Sequence, residues 1–279
     1  MSLFVFGLVA LAAVMHATWN VVLKTAGDPL RTSGRITIAG VAAGLPIALV
    51  AWVAVGAPSI PAGALGLGIV SGVLEFLYFV SLSAAYRRGE ISVVYPIARG
   101  TAPLLAVIAG VVILGERLGT VGALGVAALA AGILVIQQPW RALGAGGSRT
   151  RRPGGAVAFA IATGVIIAAY SAVDRVGARL VEPWLFAAIL FPVAAVLLAA
   201  WIRFVDRPGH RFVSATRAAD PLAAAPWPRS VAAGLLATGA YVLVLVAYTL
   251  APLSVVAPLR ESAVVLVSGW GSFRLREAT

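Results

Sequence analysis

Ser92-Val-Val-Tyr-Pro96-Ile-Ala-Arg99 returns 162 residues later as Ser254-Val-Val-Ala-Pro258-Leu-Arg260-Glu261. Just upstream, the run from Tyr78 to Tyr86 resembles the run from Tyr241 to Thr249. Nearer the start, Trp19-Asn20 and Lys24 correspond to Tyr170-Ser171 and Arg175. The matches keep their order along the chain, as an internal duplication requires.

The stretches around these motifs are apolar. Hydrophobic residues make up 61% of the 279, charged residues 11%, and the mean hydropathy is +1.00. A soluble domain carries roughly 25% charged residues, so this chain has too few charges to solvate a surface in water. The same numbers exclude a disordered chain and a collagen-like one. The net charge of +11 does not point to nucleic acid, because the basic residues fall in short breaks between apolar runs and not on one folded face. With no cysteine and with only His16 and His210 as histidines, no thiolate or histidine-rich metal site is expected, and no cofactor motif is found. Gly-x-Ser-x-Gly, His-Glu-x-x-His and a phosphate-binding loop are all missing, which argues against an enzyme.

Apolar runs of about 20 residues span a bilayer as helices. Nine are read, at 3–23, 35–56, 62–86, 91–114, 119–137, 155–176, 183–203, 230–250 and 254–271. The fold expected is an all-α membrane bundle of two repeats, residues 1–140 and 155–279, joined by a basic linker over 141–154. Five helices per unit is an odd number, so the second unit enters the membrane inverted. That is the plan of secondary transporters, with a site near the midplane. A counterpart of the fifth helix would fall at about 281–299, past Thr279, so nine of ten expected spans are present. Sixteen Lys and Arg residues lie in the breaks after helices 1, 3, 5, 7 and 9, against three in the remaining breaks. By the positive-inside rule the N-terminus is outside and the C-terminus inside. A multi-pass protein of the cell (inner) membrane is expected.

Tyr95-Pro-Ile-Ala-Arg99-Gly100, Leu114-Gly-Glu-Arg-Leu118 and Ala257-Pro-Leu-Arg-Glu261 resemble motifs of the drug/metabolite transporter superfamily, specifically its EamA-type members. The resemblance spans essentially the whole chain. It implies ten helices in two inverted repeats and a secondary transporter, an exporter by preference, working by alternating access. Its cargo would be a small polar metabolite, possibly anionic, such as an amino acid, an organic acid or a phosph(on)ate. Relatives that move lipid carriers suggest a lipid-head-group flippase as an alternative. A non-transporting or truncated membrane subunit is a further one.

An ionisable side chain at a helix centre costs about 2.5–3.5 kcal/mol on insertion scales, so each needs a reason. Glu75, Arg99, Arg260 and Glu261 are the four that stand out, and they sum to zero charge. Either they form interhelical ion pairs that specify packing, or the arginines grip an anionic group in a polar cavity. Glu75 or Glu261 would then be a proton-coupling carboxylate. Trp19, Asn20, Tyr78, Tyr95, Tyr170 and Tyr241 are candidate walls of that cavity. His16, Asn20 and Lys24 form one stripe of helix 1. Asp174 and Arg175 are placed at a mouth or interface. Pro96 and Pro258 are candidate helix breaks. Gly40-x-x-x-Gly44 and Gly68-x-x-x-Gly72 suit close helix packing or a homodimer face.

Overall fold

In lipid every backbone polar group must be satisfied within its own segment, so apolar runs of this length become helices. The computed structural model describes residues 2–24, 26–88, 91–137, 153–205 and 224–261. Among the described residues there are nine α-helices: α1 (Leu3–Lys24), α2 (Pro29–Ala54), α3 (Ala62–Arg88), α4 (Ile91–Ile108), α5 (Thr120–Gln137), α6 (Pro153–Gly177), α7 (Pro183–Val205), α8 (Trp227–Leu250) and α9 (Leu253–Arg260). By length and composition, α1, α2, α3, α6, α7 and α8 can each cross a membrane. Large apolar side chains such as Ile47, Val50, Val112 and Val196 point outward, as a lipid-facing surface requires. The chain is a multi-pass membrane protein. Residues 262–271 of the expected last span, most of the linker and the region past Glu261 lie outside the described residues.

Two helices start earlier than their hydropathy suggests. α2 begins at Pro29 and not at residue 35. Asp28 caps it, accepting from the Arg31 N–H at 3.1 Å, and proline at the first helical position forfeits no bond. α8 begins at Trp227 and not at 230, with Pro226 as its N-cap and Pro228 in its first turn. The two early turns meet. The Ala225 N–H donates to Thr32 Oγ1 at 3.1 Å, and Arg35 Nη1 donates to the Ala225 carbonyl at 2.8 Å.

The prolines break neither helix where a break is expected. α4 is continuous through position 96, and α9 runs through Pro258 to Arg260. Each proline forfeits a single backbone bond, to the carbonyl four residues back, and the rest of the ladder holds. The irregularity in α4 comes later, as a π-helical turn over Ala109–Ile113.

The two halves of the chain pack crosswise. The third helix of each half lies on the first two of the other: α3 on α6 and α7, α8 on α1 and α2. The paired fourth helices, α4 and α9, also pack on each other. Gly72 and Gly234 stand 162 residues apart and do the same work. A Cβ at Gly234 would lie 2.5 Å from the Ile36 carbonyl oxygen, and one at Gly72 would lie 2.6 Å from the Leu190 carbonyl oxygen. Gly40 faces Thr238 and Gly234, and Gly68 faces Ile189. These small residues therefore seat helices of the same chain against one another.

Candidate functional site

Five ionisable residues are buried together where the two units meet: Glu75 (α3), Arg99 (α4), Asp174 (α6), Arg260 (α9) and Glu261, the residue that ends α9. Arg99 Nη1 lies 3.2 Å from Glu261 Oε2, and Arg260 Nη2 lies 3.3 Å from Glu261 Oε1. One carboxylate thus serves both arginines. Each also reaches a tyrosine, Arg99 Nη2 to Tyr78 OH at 3.4 Å and Arg260 Nη2 to Tyr170 OH at 3.3 Å, while Arg260 Nε is buried without a hydrogen-bond partner.

Asp174 corrects its expected place at a mouth or interface. It is only 1% exposed. Ser71 Oγ donates to Oδ1 and Tyr241 OH to Oδ2, both at 2.5 Å. α6 runs on to Gly177, and its close seat on α3 carries Asp174 inward.

Beside this cluster lies a small pit of about 30 Å³. That is room for a water or two, or for one small polar head. His16, Trp19, Thr37, Glu75, Tyr78, Tyr170 and Tyr241 line it. The arginines and Glu261 do not. They stand behind its wall and hold two of its tyrosine hydroxyls. Glu75 Oε2 and His16 Nε2 are buried without a hydrogen-bond partner. Trp19 Nε1 donates to His16 Nδ1 at 3.2 Å, so the ring's hydrogen sits on the unpartnered Nε2.

Of the expected wall residues, Trp19, Tyr78, Tyr170 and Tyr241 line the pit. Asn20 does not, because its amide is used by its own helix and donates to the His16 carbonyl at 2.7 Å. The side chains of Tyr95, Pro96 and Lys24 lie outside the described residues.

A larger apolar groove of about 630 Å³ opens beside the pit, between α1, α2, α7 and α8. Phe191 and Thr238 line both, so the spaces are adjoining. The groove follows α2 from Gly40 to Ala51. The backbones of α2 and α8 come together at Gly234, against Ile36 on the pit and Gly40 on the groove. No group of three metal-ligating side chains exists among the described residues.

One residue of chemical weight is missed by the sequence reading. Glu116 follows the π turn, where Gly115 takes a φ of +65° that suits only glycine well. Its carboxylate accepts from the Leu253 N–H at 2.7 Å, the Ser254 N–H at 2.9 Å and Ser254 Oγ at 2.8 Å. It also pairs with Arg175 Nε at 3.2 Å, and Arg175 donates in turn to the Tyr248 carbonyl. A Cβ on Gly110 would collide with this carboxylate at 2.5 Å. Burial pushes the Glu116 carboxyl upward, but the donors from Ser254, Leu253 and Arg175 outweigh it and hold the group below its ordinary value of 4.5. An anion on the free N–H groups of α9 also satisfies that helix start.

Residues 3–137 match the model of the EamA-like transporter family. A solved crystal structure aligns with 99% of this chain and 88% of its own, with a TM-score of 0.67 and 20% identity. At that identity the likeness is one of fold. No curated protein matches the chain. Over residues 3–137 the chain is similar to the EamA-like transporter family, in a bundle of nine described helices cross-packed around buried charges.

Proposed function

We propose that the chain is a secondary transporter of the cell (inner) membrane that moves a small molecule through the pit by alternating access. The observation that carries this reading is the pit itself. It is a small, mainly aromatic-lined space between helices of both halves, with Glu75, His16 and Thr37 on its wall, and it adjoins the groove. A packed structural core would leave no unpartnered carboxylate oxygen beside a cavity. With the charge bias of the loops, the groove faces outward. No ATP-binding motif occurs in the sequence, so a gradient of cargo or of protons supplies the energy. Export is the direction that family resemblance favours.

The chain has no cysteine, so a single engineered thiol reports without background. Thr37→Cys, on the pit wall, is expected to react with a membrane-impermeant maleimide applied to either face of sealed vesicles, while the vesicles stay tight to the reagent. Reaction from one face only, in every buffer tried, would overturn alternating access.

The open, apolar flank of the groove supports one second reading, a lipid-head-group flippase. It would show as protein-dependent exposure of a fluorescent head-group lipid to dithionite in proteoliposomes.

A further inference from the structure

Resting on the reading that pit and groove form the transport site, we infer that its cargo is an amphipathic cation: one positively charged nitrogen head on an apolar body. Three observations converge on this class, and they run against the anionic cargo that two helix-borne arginines suggest in the sequence.

The first is which charge meets the cavity. Arg99 and Arg260 pair with Glu261 and are not among the residues that line the pit, so the unpartnered Nε of Arg260 does not meet it. Glu75 is on the wall, is 6% exposed, and has an oxygen without any hydrogen-bond donor. A buried carboxylate oxygen left unpaired is costly, and a cationic N–H is the group that best repairs it. The charge balance permits it. Glu75, Asp174 and Glu261 outnumber Arg99 and Arg260 by one, a deficit that either a proton on a carboxyl or a bound cation makes up.

The second is the wall. Trp19, Tyr78, Phe79, Tyr170, Phe191 and Tyr241 surround the pit, and aromatic faces attract a cation and not an anion.

The third is the join between the two spaces. The groove is lined by residues such as Leu11, Met15, Val41, Ile47, Trp184 and Val242. Its volume of about 630 Å³ falls in the range of small-molecule sites. Because Phe191 and Thr238 border both spaces, one molecule can place its head at Glu75 and its body in the groove. A fully polar metabolite would leave the groove unfilled, and a purely apolar one would leave Glu75 unpaired.

The test uses the full-length protein in lipid nanodiscs at pH 7 and probes that share one body. These are 4-phenylbutylamine (a cation at this pH), 4-phenylbutyrate, 4-phenylbutanol, and methylammonium as the head alone. The amine is expected to bind at least tenfold more tightly than the acid or the alcohol, and methylammonium at least a hundredfold more weakly than the amine. Glu75→Gln is expected to lower amine affinity tenfold or more while leaving the alcohol unchanged. Ala43→Leu, which fills the groove, is expected to weaken the amine and the alcohol alike. The wild-type comparison decides the matter even if Glu75→Gln does not fold. Equal or tighter binding of the acid or the alcohol overturns the cationic class, as does binding of none of the probes. Either result leaves the transport reading to the Thr37→Cys labelling, whose two-sided reaction does not depend on any probe.

Discussion

Arg99 and Glu261 stand at equivalent positions of the two repeats, 162 residues apart, and their side chains meet at 3.2 Å. The 162-residue offset that aligns Ser92-Val-Val with Ser254-Val-Val thus sets opposite charges in contact with each other. Glu261 also holds Arg260, so one carboxylate serves both arginines.

That asymmetry predicts unequal costs. Glu261→Gln takes the paired carboxylate from two buried guanidinium groups at once, and breaking a buried pair costs about 3–5 kcal/mol. Arg99→Met leaves Glu261 paired with Arg260 and costs less. Thermal unfolding of both variants in detergent checks the order. Equal losses would show that the arginines do not share the carboxylate.

Glu116 carries a pH signature. Its carboxyl is held below 4.5 by the donors of Ser254, Leu253 and Arg175 against the opposing effect of burial. A depressed carboxylate contributes stability above its unfolded value, and that contribution is lost as pH falls through the folded value. Glu116→Gln is therefore expected to melt below wild type at pH 6, with the gap closing as pH falls under 4.5. A gap that stays constant down to pH 3 would deny the charge any part in holding α9.

The helix crossings predict which glycines resist substitution. Gly234→Ala and Gly72→Ala push a methyl against backbone carbonyls at 2.5 and 2.6 Å, and are each expected to cost about 1–3 kcal/mol. Gly44→Ala meets only Thr238 Cγ2 at 3.6 Å and is expected to be tolerated. Melting temperatures of the three variants test this, and a tolerant Gly234 would place the crossing elsewhere.

Orientation follows from the loops. Single cysteines at Ser59 and Ser148 are expected to divide. Ser59→Cys should react with an impermeant thiol reagent on intact cells, and Ser148→Cys only after lysis. The opposite pattern would invert the assignment of the groove to the outer face.

The helices were legible because apolar runs of bilayer length are unambiguous. The starts of α2 and α8 were hidden among polar residues. Arg31, Thr32 and Ser33 read as a loop by hydropathy, yet Thr32 and Ser33 are buried where the two helix starts meet. Asp28-Pro29 was the local signal that outweighed them. At the site, the repeat placed Arg99 opposite Glu261, and that juxtaposition could be counted off the sequence. Which way the arginines turn could not, since it depends on how tyrosines from α3 and α6 pack around them. Asp174 and Glu116 eluded the reading for one reason. Their partners lie far along the chain, Ser71 at 103 residues and Ser254 at 138, and no periodicity reports such distances.

The cross-packing also sets a timetable for synthesis. A ribosome adding roughly 5–20 residues per second takes about 8–32 s to travel the 162 residues from Arg99 to Glu261. For that interval α4 holds an arginine whose counter-ion has not been made, and α3 presents a glycine face whose partner helix is still untranslated. The first half must wait in the bilayer, or beside the insertion machinery, until the second half arrives. A mutation near Glu261 is thus felt first by helices inserted half a minute earlier, and nascent-chain quality control is where its effect would first be read.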